Sequence, residues 1–190
     1  ERALQHGKQA LQIAERMKDL DAVARTLADF ALVLAFRGEM TEAHEYAERS
    51  WEVSVQGKDP RTKARTALYP IAFWPWQNNR TWFEKWMERS LENRRHSHIG
   101  RYDQACDDLL ALGSALSAKP QEAAAALQHG QEASSERPYF GPYWVHFAGS
   151  THAILGDWEK ASHFLARALE AAESGQFRSQ IVDACIDYGR

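Results

Sequence analysis

Apolar side chains recur along the chain with the spacing of amphipathic helices. Before a short turn at Gly38 they fall at i, i+3, i+4 and i+7, which is one face of an α-helix. The set before the turn is Leu27, Phe30, Ala31 and Leu34, and the set after it is Ala43, Ala47, Ser50 and Trp51. The pattern therefore predicts a helical hairpin, in which two antiparallel helices are joined by a tight turn.

This turn recurs at a nearly constant interval. Turn residues fall at positions 38, 78, 118 and 156, so the steps are 40, 40 and 38 residues. Three columns keep the same step: Ala3, Ala43, Phe83, Ala123 and Ala161; Leu11, Trp51, Leu91, Gln131 and Leu169; Ala31, Ile71, Ala111 and Gly149. One hairpin cannot bury its apolar face alone, so neighbouring copies must stack. The sequence predicts an all-α fold, a right-handed superhelical solenoid of about four to five antiparallel helix pairs.

The repeat also predicts how the chain is divided. We expect a single repeat domain over residues 1–190. Its predicted units are 1–20 (partial), 21–60, 61–99, 100–138, 139–176 and 177–190 (partial). The helical pattern is already running at the first residue and still running at the last. We therefore expect the array to be truncated at both ends and to be a piece of a larger protein.

Composition agrees with helices and narrows the class of protein. The chain has 30 Ala and 16 Leu against 12 Val plus Ile, which favours helix over strand. A net charge of −3 argues against a dedicated nucleic-acid surface, and the absence of a long apolar run argues against a membrane span. Cys106 and Cys185 are far apart and lack a metal or redox spacing, so we expect free thiols and a cytoplasmic location.

Motifs that would carry catalysis are missing from the sequence. It contains no phosphate-binding glycine loop, no zinc-protease helix and no nucleophile elbow. We expect His44 and Glu48, four residues apart, to form a surface pair. We expect His96 and His98 to complement a helix C-terminus rather than to bind a metal. The predictions are therefore no enzymatic activity, no cofactor and no metal site.

The order of small, aromatic and turn residues resembles the tetratricopeptide repeat. The best-matching copy is Gly149, Gly156, Asp157, Trp158, Ala161, Leu165 and Ala168, and the next best is Ala31, Gly38, Glu39, Met40, Ala43 and Trp51. The period is near 40 residues, whereas the family usually has 34. This longer period resembles arrays in bacterial multidomain signalling and regulatory proteins. The resemblance implies a protein or peptide partner. Because the truncated ends expose helix faces that adjoining repeats would cover, we also expect flanking domains of a parent chain and a possible homodimer.

An aromatic segment is the most unusual part of the chain. Seven large aromatic residues fall within 18 positions: Tyr69, Phe73, Trp74, Trp76, Trp82, Phe83 and Trp86. Pro70 and Pro75 interrupt what should be a first helix, so we expect that helix to kink or to stop early. Two interpretations remain open. The aromatic residues either fill the gap left by the kink or line a pocket or partner surface.

The tetratricopeptide resemblance implies that the first helix of each pair lines a concave groove. The candidate binding residues are Arg25, Phe36, Arg65, Tyr69, Phe73, Trp76, Tyr143 and His146. The same register adds Ala28, Leu32, Leu68, Ala72, Asp108, Leu112, Leu116, Phe147 and Ser150. We expect a non-enzymatic protein or peptide interaction module of a regulatory or signalling protein. The alternative is a small-molecule-sensing domain of a transcriptional regulator or signalling ATPase or cyclase, with an aromatic pocket around Tyr69, Phe73 and Trp76.

Overall fold

The chain is helical wherever its structure is described. The structure is a computed structural model, and it describes residues 2–73, 79–97, 99–134 and 142–174. These residues form helices and no strand, so the predicted all-α class is confirmed. None of the described helices is long and apolar enough to cross a lipid bilayer. The chain divides into two compact units, Glu1–Ile99 (unit 1) and Gly100–Arg190 (unit 2).

Unit 1 consists of two helical hairpins preceded by one helix. Its elements are α1 (Arg2–Met17), α2 (Leu20–Phe36), α3 (Met40–Gln56), α4 (Pro60–Leu68), a 3₁₀ turn (Tyr69–Phe73) and α5 (Arg80–His96). Helices α2 and α3 pair with each other, and α4 with its 3₁₀ extension pairs with α5. Because α4 also contacts both α2 and α3, the second hairpin lies directly against the first.

Unit 2 is also built of two hairpins. Its helices are α6 (Gly100–Leu116), α7 (Pro120–Ser134), α8 (Pro142–Ile154) and α9 (Trp158–Ser174). Helix α6 pairs with α7, α8 pairs with α9, and α6 packs against α8. In each unit the first helix of one hairpin therefore contacts the first helix of the next. We call α2, α4, α6 and α8 the first helices, and α3, α5, α7 and α9 the second helices.

Four helices end in the same left-handed turn. The turn residues are Lys18, Gly38, Ala118 and Gly156, with φ of 55°, 79°, 56° and 79°. After α2, the Gly38 N–H donates to the Ala35 carbonyl at 2.9 Å, and the next N–H donates to the Leu34 carbonyl at 3.0 Å. The other three turns repeat this pair of bonds, which is the Schellman motif. The predicted turns at 38, 118 and 156 are confirmed, and position 78 lies outside the described residues.

Short polar side chains begin several of the helices. Asp19 accepts from the Ala22 N–H at 2.9 Å, and Asn79 accepts from the Trp82 N–H at 3.1 Å. Each bond satisfies a backbone donor that the first turn of a helix would otherwise leave unpaired. Together with the left-handed turns, these caps fix where helices start and stop in the sequence.

The columns predicted from the repeat occupy equivalent environments. In the column of Ala31, Ile71, Ala111 and Gly149 every side chain is buried. At Gly149 an added Cβ would come within 2.7 Å of the Leu165 Cγ, so α8 and α9 approach too closely for a larger residue. The described members of the second-helix column, which are Ala43, Phe83, Ala123 and Ala161, are buried as well. The periodicity therefore marks the positions where helices pack together.

The proline-interrupted helix is distorted as predicted. Helix α4 ends at Leu68, and the chain continues as a 3₁₀ turn through Pro70. The Trp82 indole N–H donates to the Pro70 carbonyl at 3.0 Å, which satisfies an acceptor at this distortion. Trp82 and Trp86 are buried, so they belong to the core of unit 1. Trp74 and Trp76 lie outside the described residues.

Candidate interaction site

Polar side chains link the first helices α2 and α4. The Asp21 carboxylate on α2 accepts from the backbone N–H groups of Lys58 and Asp59 at 3.3 Å, just before α4 begins. One turn later, the Arg25 guanidinium donates to the Thr62 hydroxyl at 3.0 Å and lies 3.5 Å from the Asp59 carboxylate. Because the spacing is four residues, these side chains project from one face of α2. Arg25, predicted as a partner contact, therefore joins two helices of the chain itself.

Arg65 continues the same row one turn further along. Its guanidinium forms an ion pair with Asp29 of α2 and lies over the Tyr69 ring, 4.7 Å from the ring centroid. Three predicted site residues, Arg25, Arg65 and Tyr69, are thus brought to the α2–α4 junction. The charges of Arg25 and Arg65 are therefore paired within the chain.

Three of the described first helices end on exposed apolar side chains. Helix α2 ends at Phe36, α6 at Leu116 and α8 at Ile154. The exposed fractions of these side chains are 39%, 53% and 46%, respectively. Each stands two residues before a left-handed turn residue. Trp76 holds the same register position and lies outside the described residues. We call this set the apolar terminal column.

Ile154 was not among the predicted site residues, although the sequence contains the signal. The step from Phe36 to Trp76 and Leu116 is 40 residues, and the step of 38 between the last two turns leads to position 154. A repeat period applied to every helix-terminal position would have found it.

Several residues of the predicted groove are buried. Ala28, Leu68, Leu112 and Phe147 are at most 4% exposed, so the prediction that they line an open groove is wrong. They face neighbouring helices because the first helices pack directly against one another within each unit.

The remaining predicted site residues divide by how far the structure describes them. His146 lies half-buried on α8, with its ring centroid 5.9 Å from that of Phe147. Phe73 is the last residue of the 3₁₀ turn and Tyr143 lies in the first turn of α8, but their side chains are outside the description. Trp76 lies wholly outside the described residues. Most of the aromatic pocket predicted around Tyr69, Phe73 and Trp76 therefore lies outside them as well.

Two adjacent aspartates lie buried in α6. The Asp107 carboxylate is 2.7 Å from the His129 Nδ1 of α7 and is almost fully covered. Asp108 is also buried, at 6% exposure. Burial raises the pKa of Asp108 to about 7, and the neighbouring charge of Asp107 adds to the shift. Its free carboxyl is therefore partly protonated near neutral pH, which is unusual for an aspartate.

The repeat register shows how unusual these aspartates are. In the preceding repeats the position of Asp107 holds Leu27 and Ala67, and the position of Asp108 holds Ala28 and Leu68. All four of those apolar residues are buried core residues. Unit 2 thus has carboxylates at two core positions that hold apolar side chains in unit 1. Sequence patterns did not predict this burial, because an aspartate ordinarily indicates solvent exposure.

A buried histidine occupies a third such position. His152 of α8 stands where α2 has Leu34, and its ring lies parallel to that of Phe164, at 5.5 Å between centroids. Its Nδ1 is 3.6 Å from the Asp157 carboxylate, and its buried Nε2 has no hydrogen-bond partner among the described residues. Burial lowers the pKa of His152, with Asp157 opposing the shift. The imidazole is therefore neutral at physiological pH.

The second helices α3 and α5 share a charged and aromatic interface. Glu48 accepts from the Lys85 ammonium at 2.6 Å and from the Arg89 guanidinium at 2.9 Å. We predicted a His44–Glu48 surface pair; in the structure His44 stacks on Trp82, with ring centroids 3.7 Å apart. These contacts join two hairpins. Packing between the hairpins therefore explains the presence of these charged and aromatic side chains, and no bound ligand is needed to explain them.

The histidines near the end of α5 also have a local explanation. The His96 imidazole lies 2.9 Å from the Glu92 carboxylate one turn earlier, and His98 lies outside the described residues. Hydrogen bonds from His96 and Arg95 lower the pKa of Glu92. Across the part of the chain that the structure describes, no three His, Cys, Asp or Glu side chains converge to hold a metal ion.

The sequence was compared with protein families and with curated proteins. No protein-family profile matches the chain, and no curated protein sequence is significantly similar to it. The tetratricopeptide resemblance therefore stays a prediction that rests on its motif residues. The function has to be argued from the geometry of the helices and from the apolar terminal column.

Proposed function

We propose that the chain is a protein or peptide interaction module, a cytoplasmic tetratricopeptide-like solenoid belonging to a larger regulatory or signalling protein. Support for the solenoid comes from the recurring left-handed turn and from the contacts between consecutive first helices within each unit. Repeats of this kind bury a shared core and offer an extended surface along the stack. The proposed function therefore belongs to a surface and not to a catalytic centre.

The observation that carries this proposal is the apolar terminal column. Phe36, Leu116 and Ile154 are large, exposed and equivalent in register. Single exposed apolar residues are common on proteins and need no explanation, whereas recurrence at one register position does. Leu116 and Ile154, on the two packed first helices of unit 2, are suited to anchor one partner at two points.

The spacing of the helices favours an extended peptide as the partner. Helices α6 and α8 are in contact, and packed helices have axes about 8–10 Å apart. A polyproline-II segment advances about 9 Å every three residues and returns its side chain to the same side. A peptide with apolar residues three positions apart therefore fits Leu116 and Ile154 together.

Selection from a peptide library tests this function. Random peptides of about twelve residues, roughly 37 Å long as polyproline II, are displayed and selected on the whole chain. A selected peptide should bind Leu116→Asp and Ile154→Asp at least tenfold more weakly, a change of about 1.4 kcal/mol. Both positions are about half exposed, so the variants keep the fold.

Val55→Asp is the matched control for these variants. Val55 is 52% exposed on the second helix α3, outside the apolar terminal column. It introduces the same charge on an equally exposed apolar residue, and its binding should equal that of the unmodified chain. Failure to select any peptide, or equal weakening by all three variants, would contradict the proposed function.

A further inference from the structure

Asp108 is a buried carboxylate that the fold itself does not require. The residue is 6% exposed, and among the described residues no hydrogen bond or ion pair reaches its carboxyl oxygens. Equivalent positions in unit 1 are filled by Ala28 and Leu68. Burying an unpaired carboxyl costs free energy, which an apolar residue at this position would avoid.

Its position on α6 connects it with the apolar terminal column. Asp108 and Leu116 are eight residues apart, with Leu112 midway, so they lie on one side of the helix two turns from each other. This side is the one that packs towards α8, since the neighbouring Ala111 and Ala148 of the two helices belong to one core cluster. Two helical turns span about 12 Å, so a twelve-residue peptide anchored at Leu116 is long enough to extend along α6 to Asp108.

The charge of unit 2 indicates the sign of the partner. Residues 100–190 contain seven Lys or Arg and twelve Asp or Glu, whereas residues 1–99 contain sixteen and fourteen. Helix α8 carries no Lys or Arg, and α6 carries three aspartates against one arginine. The first helices of unit 2 thus attract cations, whereas in unit 1 Arg25 pairs with Asp59 and Arg65 pairs with Asp29.

We propose that the Asp108 carboxylate binds the cationic side chain of a lysine or arginine in the peptide that docks on unit 2. This inference rests on the proposed function and adds the chemical class of the partner. A cation from the peptide would form an ion pair with the buried carboxylate. The free energy that burial of the unpaired carboxylate costs the free chain would then contribute to the binding affinity. A charge-assisted hydrogen bond to a guanidinium is the strongest form of this contact.

The test uses the same selection and reads the composition of the peptides. Peptides selected on the whole chain should be enriched in Lys or Arg, and selection on Asp108→Asn should lose that enrichment. The best synthetic peptide should bind Asp108→Asn at least tenfold more weakly. Glu122→Gln on α7 is the matched control, since it removes one exposed negative charge from unit 2 and should leave the affinity unchanged.

The pH dependence of affinity separates a direct contact from a structural role. Pairing with a cation releases the proton from Asp108, so affinity should rise between pH 6 and 8 in the unmodified chain. The other carboxyl and imidazole side chains described on α6, α7 and α8 are Asp103, Asp107, Glu122, His129, His146 and His152, and they are present in both proteins. Asp108→Asn should therefore show a smaller rise.

The outcomes distinguish the role of Asp108 from the proposed interaction module. Selected peptides that are neutral or acidic, or that bind Asp108→Asn as tightly as the unmodified chain, would overturn the role of Asp108 and leave the interaction module standing. Selection of basic peptides whose affinity falls equally in Glu122→Gln would indicate a diffuse charge effect and overturn it as well. Failure to select any peptide would overturn both.

Discussion

At the scale of single residues, backbone conformation decides which positions in the turns tolerate substitution. Gly38 and Gly156 adopt left-handed φ values at no steric cost, whereas Ala118 adopts φ 56° with a Cβ that strains it. All three end a first helix with the same pair of hydrogen bonds. The hydrogen bonds of the motif therefore fix the geometry of the turn. The residue at the left-handed position determines how much free energy that conformation costs.

Exchange of glycine and alanine at these turns should change stability in opposite directions. Ala118→Gly should raise the free energy of unfolding by about 0.5–1 kcal/mol because it removes the left-handed strain. Gly38→Ala should lower it by about 1–2 kcal/mol, although nothing lies within 4 Å of the added Cβ. Urea denaturation measures both. A destabilised Ala118→Gly would show that strain is not what limits this turn.

At the scale of helix pairs, small residues permit the close approach on which the hairpins depend. Gly149 of α8 lies against Leu165 of α9, and the equivalent Ala31 and Ala111 are fully buried. The pairing of α8 with α9 is therefore sensitive to one methyl group.

Gly149→Ala should destabilise the chain in spite of alanine's higher helix propensity. The added Cβ would lie 2.7 Å from the Leu165 Cγ and 3.1 Å from the Leu165 backbone nitrogen, so the helices must separate. We expect a loss of about 1–3 kcal/mol, which exceeds the propensity gain of about 1 kcal/mol. Thermal unfolding measures the change. Ser150→Ala, one residue along on the same helix, is the control and should be close to neutral.

At the scale of the whole molecule, unit 2 contains ionisable residues where unit 1 has aliphatic ones. Asp108 is protonated more readily in the folded chain than in the unfolded chain, so folding loses stability as the pH rises from about 4 to about 7. His152 is protonated less readily when folded, so folding loses stability as the pH falls below about 6.5. The two slopes oppose each other in the same pH range.

Removal of each group in turn should separate these slopes. Asp108→Asn should raise the free energy of unfolding at pH 8 by on the order of 2–4 kcal/mol and leave it nearly unchanged at pH 4. With Asp108→Asn in place, stability should fall from pH 7 to pH 5, and adding His152→Leu should reduce that fall. Leucine is the residue at the equivalent position of α2. Denaturation at several pH values measures both, and parallel curves for all proteins would contradict the assignment.

Sequence periodicity predicted the helices because the repeat amplifies a local signal. Gly38 and Gly156 mark turns, and the column of Ala31, Ile71 and Ala111 marks buried positions, since each pattern recurs at the same step. The candidate site was predicted less well. Arg25 and Arg65 were assigned to a partner because the register indicates a side of the helix and not the neighbour across it. Asp108 was placed on the groove side, but its burial depends on the packing of α6 against α8.

Helix α4 has a further consequence for how unit 1 opens. Its buried residues include only one large apolar side chain, Leu68, and its contact with α3 runs through hydroxyl groups, with Thr66 donating to Ser54 at 2.8 Å. Its contact with α2 is made in part by charged and polar groups. Regions held by few apolar contacts exchange their amide protons through local opening, well below the free energy of global unfolding. Helix α4 should therefore open locally before the rest of unit 1, while the ion pairs of Glu48 with Lys85 and Arg89 still join the two hairpins.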